Sequence, residues 1–80
     1  MTMYEVLSFI DEYGQKWGEY DLYHSDHYKD ISDFEKEGWY WECFLASGGP
    51  FHTKEEAIAD ANEYTPYVVE YEIEANWGKR

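Results

Sequence analysis

An excess of acidic residues is the strongest constraint on what this chain can fold into. Its 80 residues include 18 Asp and Glu against 6 Lys and Arg, which gives a formal net charge of −12 at pH 7. Charge of one sign repels itself and destabilises a compact state. A chain of this length buries roughly 60% of its unfolded surface. The fold must therefore hold its charge around a small core, whose margin of stability is only about 3–5 kcal/mol.

The apolar content nevertheless predicts a folded domain. Hydrophobic residues make up 44% of the chain and aromatic residues 21%, which is too much for a disordered acidic tail. The length allows a single domain, residues 1–80, and excludes a multidomain enzyme. The negative charge disfavours nucleic acid and anionic membranes as direct ligands. No apolar run approaches the ~20 residues that cross a bilayer.

The use of cysteine indicates a reducing compartment. Cys43 is the single cysteine of the chain, so no internal disulfide can form. The first residues lack the basic and apolar regions of a secretory signal. We therefore expect a cytoplasmic protein in which Cys43 is a buried structural residue rather than a reactive thiol. No residue decides between a monomer and a dimer.

The distribution of apolar and turn residues predicts an α+β fold, with a small antiparallel sheet of about four strands and one helix packed on one face. The predicted strands cover residues 4–11, 17–24, 39–46 and 67–77. A short amphipathic helix also fits residues 4–11. Turns are predicted at 13–16 and 47–50, and a polar loop or short helix at 25–38.

The clearest local signal is a capping box. The Thr53 hydroxyl can accept a hydrogen bond from the Glu56 amide, while the Glu56 carboxylate accepts one from the Thr53 amide. Apolar residues at helical spacing follow, and Pro66 cannot continue a helix. We therefore predict a helix over about residues 54–64. The residues that we expect in the core are Val6, Trp41, Phe44, Ile58, Val69 and Ile73.

Histidines near the middle of the chain raise the question of a metal site. His24 and His27 flank Asp26, but a His-x-x-His pair is a weak signal because a catalytic zinc site needs a third protein ligand. Solvated loop histidines are the simpler interpretation, so we predict no metal and no cofactor. The chain has neither a nucleophile-elbow serine nor a P-loop. We predict that it is not an enzyme and has no catalytic residues.

Acidic residues form a regular pattern near the C-terminus. In the predicted last strand, Glu70, Glu72 and Glu74 alternate with apolar residues and would share one face. Alternate residues on a strand are about 6.8 Å apart, which is roughly two steps of the 3.4 Å charge spacing along one DNA strand. Three carboxylates in a row would present a ladder of negative charge to a basic groove. A Glu-rich solvent face is the plain alternative.

Further acids and a set of tyrosines complete the candidate interface. The central loop carries Asp26, Asp30, Asp33, Glu35 and Glu37, and the predicted helix carries Glu55, Glu56, Asp60 and Glu63. The nine Tyr, four Trp and four Phe exceed what so small a core can enclose, and Tyr and Trp are enriched at protein interfaces. The predicted partner-binding residues are the acids Glu70, Glu72, Glu74, Asp26, Asp30, Asp33 and Glu35 and the tyrosines Tyr20, Tyr23, Tyr28 and Tyr40.

In size, charge and residue texture, the whole chain resembles the small acidic anti-CRISPR proteins of phages that act as DNA mimics. The resemblance implies a non-enzymatic inhibitor that binds the basic DNA channel of a CRISPR effector, with a type I effector favoured. Such an inhibitor blocks the binding of target DNA in the cytoplasm of an infected bacterial cell. Its partner is a basic protein surface rather than nucleic acid or a membrane.

A second class of function is also compatible with the sequence. A small cytoplasmic adaptor or antitoxin-like protein would bind one protein partner through an aromatic face. The acidic charge would then serve mainly for solubility, and salt would have little effect on binding. The two hypotheses differ in whether the acids or the tyrosines carry the contact.

Overall fold

Four antiparallel strands in sequential order form one sheet. The computed structural model describes residues 3–28 and 36–77. The strands are β1 (Tyr4–Ile10), β2 (Lys16–His24), β3 (Trp39–Glu42) and β4 (Ser47–Phe51). A 3-10 turn, Ser25–Tyr28, follows β2, and the helices α1 (Lys54–Asn62) and α2 (Thr65–Trp77) follow β4. The α+β class and the four-stranded antiparallel sheet are confirmed, and a second helix is added.

The β1–β2 hairpin is organised by the side chain of Asp11. Its Oδ1 accepts hydrogen bonds from the backbone amides of Tyr13 and Gln15 at 2.8 and 2.9 Å, and its Oδ2 accepts one from the Trp17 indole at 2.8 Å. The turn also needs a left-handed residue, which Gly14 supplies with a φ of 83°. The turn between β1 and β2 covers residues 11–15, so it overlaps the predicted turn at 13–16, whose last residue belongs to β2.

The core forms where both helices pack on one face of the sheet. Leu22 on β2 lies opposite Trp41 on β3, and both side chains are fully buried. Val68 of α2 packs over Gly18 of β2. Alternation along the strands places the buried residues on one face. The buried apolar residues are Phe9, Tyr20, Leu22, Trp39, Trp41, Ala57, Ala61 and Val68.

The core prediction is correct for some residues and wrong for others. Trp41 is buried, and Ile58 packs at the margin of the core. Val6 is exposed because it alternates with core-facing neighbours on β1. Phe44 is exposed because it lies in the loop between β3 and β4, and Ile73 is exposed on α2. The predicted core residue Val69 is half-buried.

The predicted last strand is wrong, because residues 65–77 form helix α2. Helix α1 ends at Asn62, two residues earlier than predicted. Pro66 lies inside α2, because a proline suits the first turn of a helix, where its missing amide is not needed. The Val68 amide donates to the Tyr64 carbonyl at 3.1 Å and continues the chain into that turn. The fourth strand comes instead from Ser47–Phe51, where a turn is predicted at residues 47–50.

The real turn between β3 and β4 occurs at residues 43–46. The Cys43 amide donates to the Ala46 carbonyl at 2.8 Å, so β3 ends four residues earlier than predicted. Cys43 is half-buried and packs against the core. The capping box is confirmed at Thr53 and Glu56, with 3.1 Å for both backbone hydrogen bonds.

Asp11→Ala is expected to lower the thermal midpoint of unfolding at neutral pH. The Trp17 indole and then the Gln15 amide hold the pKa of the Asp11 carboxyl below its usual value. Because the pKa of Asp11 is lower in the folded than in the unfolded chain, the ionised carboxylate stabilises the fold. This stabilisation is complete above the unfolded pKa, about 3.9. It is lost as the pH falls through the folded pKa.

Thermal unfolding followed by circular dichroism from neutral to acidic pH tests this linkage. The gap between the midpoints of wild type and Asp11→Ala should narrow in acid. Glu12→Ala is the matched control, because the Glu12 side chain is exposed and lies in the same turn. A gap that stays constant at every pH would contradict the proposed role of the Asp11 carboxylate.

Gly48→Ala is expected to destabilise the fold, because the new methyl would disturb a buried hydrogen bond. A Cβ at Gly48 would lie 2.5 Å from both Asp60 Oδ2 and Trp41 Nε1, which are bonded to each other at 2.8 Å. A buried donor without its partner costs about 1–3 kcal/mol. Urea unfolding measures the loss, with Ser47→Ala as the exposed control, and equal stabilities would show that the site adapts freely.

Candidate protein-binding groove

A surface groove is the strongest candidate for a functional site. It lies between helix α2, the end of α1 and the loop 43–46, and its volume is about 640 Å³. This volume falls within the ~300–1,000 Å³ that is typical of ligand pockets. We call it the acidic groove. Its lining consists of the acids Asp60, Glu63, Glu70 and Glu74, the tyrosines Tyr64, Tyr67 and Tyr71, and Leu45 and Ala46.

One face of α2 forms a long wall of the groove. Tyr67, Glu70, Tyr71 and Glu74 line it, and their spacing of i, i+3, i+4 and i+7 is that of one helical face. The helix rises 1.5 Å per residue, so Glu70 and Glu74 are separated by about 6 Å along its axis. The wall therefore alternates phenol rings and carboxylates.

The opposite wall is held in place by the core. Asp60 lies in the last turn of α1, and its Oδ2 accepts a hydrogen bond from the Trp41 indole at 2.8 Å. Trp41 itself is fully buried, so its ring gives Asp60 a rigid partner. Glu63 caps the end of α1, where its amide bonds to the Asp60 carbonyl. Two of the groove's carboxylates are thus attached to an ordered helix end.

Aromatic rings continue from the core into the groove. Trp41 and Tyr64 have ring centroids 5.2 Å apart, and Tyr64 and Tyr67 have centroids 5.9 Å apart. On the far side, Tyr71 meets Phe44 of the loop edge-on at 4.9 Å. Tyr67 is 63% exposed and Tyr71 is 46% exposed. Exposed rings that rest on packed rings are typical of protein interfaces.

The groove carries negative charge that the described residues do not neutralise. Among the residues that the structure describes, its lining includes four carboxylates and no Lys, Arg or His. Among residues 3–28 and 36–77, the side chains of Glu63, Glu70 and Glu74 form no ion pair and no hydrogen bond. The ion pair of Lys54 is made with Glu5 on β1, outside the groove. A positively charged ligand would complement this surface.

The predicted ladder of three glutamates is wrong in its geometry. Glu70, Glu72 and Glu74 lie on a helix, so Glu72 is rotated by about 200° from Glu70. Glu70 and Glu74 line the groove and Glu72 does not. Asp26 belongs to the 3-10 turn after β2 and also lies outside the groove. Asp30, Asp33 and Glu35 fall outside the described residues.

The predicted tyrosines divide between the core and a second surface. Tyr20 is 3% exposed and belongs to the core, so its assignment to an interface is wrong. The strand register places Tyr4, Tyr23 and Tyr40 in one row on the sheet face opposite the core. Tyr23 stacks on Tyr40 at 5.8 Å and meets Tyr28 edge-on at 5.2 Å. We call Tyr4, Tyr23, Tyr28 and Tyr40 the tyrosine face.

Two phenols of the tyrosine face, those of Tyr4 and Tyr23, have a pKa above the ordinary tyrosine value. A hydrogen bond to Asp21 at 2.9 Å raises the pKa of Tyr4. Partial burial, and then the nearby Glu42 carboxylate, raises the pKa of Tyr23. This face therefore offers aromatic rings beside the carboxylates of Asp21 and Glu42.

The histidines do not form a common site. His27 stacks on Tyr4 with ring centroids 5.3 Å apart. His24 instead lies with Asp26 and Glu37, where one potential ligand atom from each falls within 4.8 Å of the others. The Asp26 amide donates to His24 Nδ1 at 3.0 Å, and this bond occupies the lone pair that a metal would need at that nitrogen. We assign no metal centre to these residues.

Tyr67 and Tyr71 are site residues that the predicted strand does not identify. In a strand, Tyr71 would have pointed with Val69 toward the core. The spacing of Tyr64, Tyr67 and Tyr71 by three and four residues is a helical signal that could have found them. A helix over this segment also places Glu72 on a different face from Glu70 and Glu74.

Comparison with known proteins identifies no relative. No family model, curated protein or solved structure matches this chain. Within the described residues, neither helix is long and apolar enough to cross a membrane. The function must therefore be argued from the chemistry of the groove.

Proposed function

We propose that the protein is a non-enzymatic inhibitor that binds a basic, nucleic-acid-binding surface of another protein through the acidic groove. The observation that carries this proposal is the wall of α2, where carboxylates and phenol rings alternate and where the described residues place no cation in the lining. Nucleic-acid-binding surfaces are lined with Lys and Arg, which pair with phosphates. The groove offers such a surface an alternative partner.

The spacing of the carboxylates supports mimicry of a phosphate backbone. Glu70 and Glu74 are about 6 Å apart along the helix axis, close to two steps of the 3.4 Å charge spacing of one DNA strand. Asp60 and Glu63 add charge on the other side of the groove. Because the helices hold these groups in order, the partner's cations meet a fixed array rather than a flexible tail.

The narrower target that we propose is a CRISPR effector, with a type I effector favoured. The support for it is the small size and the net charge of −12, the two properties on which the resemblance to DNA-mimic anti-CRISPR proteins depends. The protein would act in the cytoplasm of an infected bacterial cell and block the binding of target DNA. Exposed charges are screened beyond ~8 Å at physiological ionic strength, so association would be fast and sensitive to salt.

Reversal of the groove charge tests this proposal. Glu70→Lys with Glu74→Lys is expected to slow association with the partner by at least about tenfold, because steering by opposite charge is lost. A pull-down from a CRISPR-bearing bacterial lysate, eluted with a salt gradient, identifies the partner. Association rates are then measured with the purified complex, and circular dichroism confirms that the variant is folded.

A control with the same net charge separates local from overall electrostatics. Glu12→Lys with Glu19→Lys also reverses two exposed acids, but outside the acidic groove. This control should keep most of the association rate. If both double variants lose the association rate equally, the effect comes from net charge and not from the acidic groove. If the protein retains no nucleic-acid-binding complex from the lysate, the proposal is refuted.

The tyrosine face favours a second candidate, an adaptor or antitoxin-like protein that binds one partner through aromatic rings. The stack of Tyr23 on Tyr40 supports it. Tyr40→Ala would then weaken capture of the partner by about tenfold or more, as expected for an interface anchor, and high salt would have little effect. Tyr13→Ala is the control, because Tyr13 is 86% exposed and lies in the β1–β2 turn.

A further inference from the structure

We infer that the acidic groove binds an arginine side chain of its partner in preference to a lysine side chain. This inference rests on the proposed function and specifies the group that the groove recognises. It follows from the pairing of aromatic rings with carboxylates along α2. Either feature alone would attract any cation, but together they match the planar, charged guanidinium group.

The wall of α2 provides both kinds of contact within one helical turn. Tyr67 and Tyr71 are separated by four residues, and Glu70 lies between them on the same face. A guanidinium can stack on a phenol ring while its N–H groups donate to a carboxylate in a planar, bidentate pair. A lysine ammonium is a compact point charge without a planar face, so it can pair with the carboxylates and lie over a ring, but it cannot stack flat on the ring while it forms a bidentate pair.

The other side of the groove suits the rest of an arginine side chain. Leu45 and Ala46 contribute apolar surface, against which the aliphatic stem can pack while the charged end reaches a carboxylate. Asp60 is already bonded to the Trp41 indole, so its position is set before a ligand arrives. Groups that are held in place lose less conformational freedom on binding.

The rings that form the site are themselves supported. Tyr64 packs on the buried Trp41 at 5.2 Å, and Tyr67 packs on Tyr64 at 5.9 Å. Tyr71 rests on Phe44 at 4.9 Å. Tyr67 and Tyr71 remain about half or more exposed, so their faces can be reached from solvent. Tyr67 and Tyr71 therefore form an exposed aromatic surface that a ligand can contact, and they are not part of the closed core.

A set of short peptides tests the inference on the full chain. Each peptide has the same Gly- and Ser-rich sequence with one central Arg, Lys or citrulline, the last being a neutral analogue of arginine. Titrations followed by amide chemical shifts give the affinity and the location together. We expect the Arg peptide to bind about two- to fivefold more tightly than the Lys peptide, because only the planar guanidinium can stack on a ring and form a bidentate pair at once, and the citrulline peptide to bind most weakly.

Variants assign the preference to the rings. Tyr67→Ala with Tyr71→Ala should bring the Arg peptide to the affinity of the Lys peptide. Glu70→Gln with Glu74→Gln should weaken both peptides together. Tyr13→Ala, at an exposed ring outside the groove, should change neither. Circular dichroism spectra that match the wild type show that each variant is folded.

Two results would overturn the inference. The first is equal binding of the Arg and Lys peptides to the wild type, and the second is a set of shifts centred on the tyrosine face rather than on α2. Neither result would refute the proposed function, which is judged by capture of the partner complex and by the loss of association in Glu70→Lys with Glu74→Lys. Failure of that capture, with Arg-selective peptide binding intact, would refute the inhibitor and leave an arginine-binding groove.

Discussion

The hydrogen bond from the Trp41 indole to Asp60 joins the core of this protein to its surface. Trp41 is fully buried at the centre of the sheet, and Asp60 belongs to the helix that packs on it. The bond satisfies a polar group that would otherwise be costly to bury, and it fixes one carboxylate at the wall of the acidic groove. Gly48 passes beside this bond, since a side chain there would collide with both partners. Core, fourth strand and groove therefore depend on the same contact.

Charge and packing are distributed so that the small core tolerates a net charge of −12. The helix-packed face of the sheet buries rings and aliphatic groups, while acids occupy the outer positions of α2 and the turns. Asp11 contributes to folding directly, because its carboxylate accepts three hydrogen bonds in the hairpin turn. The carboxylates of Glu70 and Glu74 have no such structural partner among the described residues, and that contrast separates the acids that build the fold from those available to a ligand.

Local sequence signals identified several features correctly. The capping box at Thr53 marks the start of α1, and the predicted turn at 13–16 overlaps the turn between β1 and β2, because each depends on contacts between residues close in sequence. The prediction of a strand at residues 67–77 is wrong because the structure of this segment depends on contacts with residues far away in the sequence. Its apolar alternation fits a strand, while Pro66 and the burial of Val68 against Gly18 favour a helix. A partner from β2, distant along the chain, decides between these two periodicities.

The acidic, aromatic character of the chain, its α+β class and the start of its first helix are consequences of composition and local pattern. Composition and local pattern do not determine which acidic residues lie close together. Glu70 and Glu74 share the groove with Asp60, and Glu72 turns away, because a helix rather than a strand carries them. Ser47–Phe51 takes the fourth position in the sheet, and the last segment packs across the sheet as a helix. Long-range packing, which no local pattern encodes, therefore positions the candidate site.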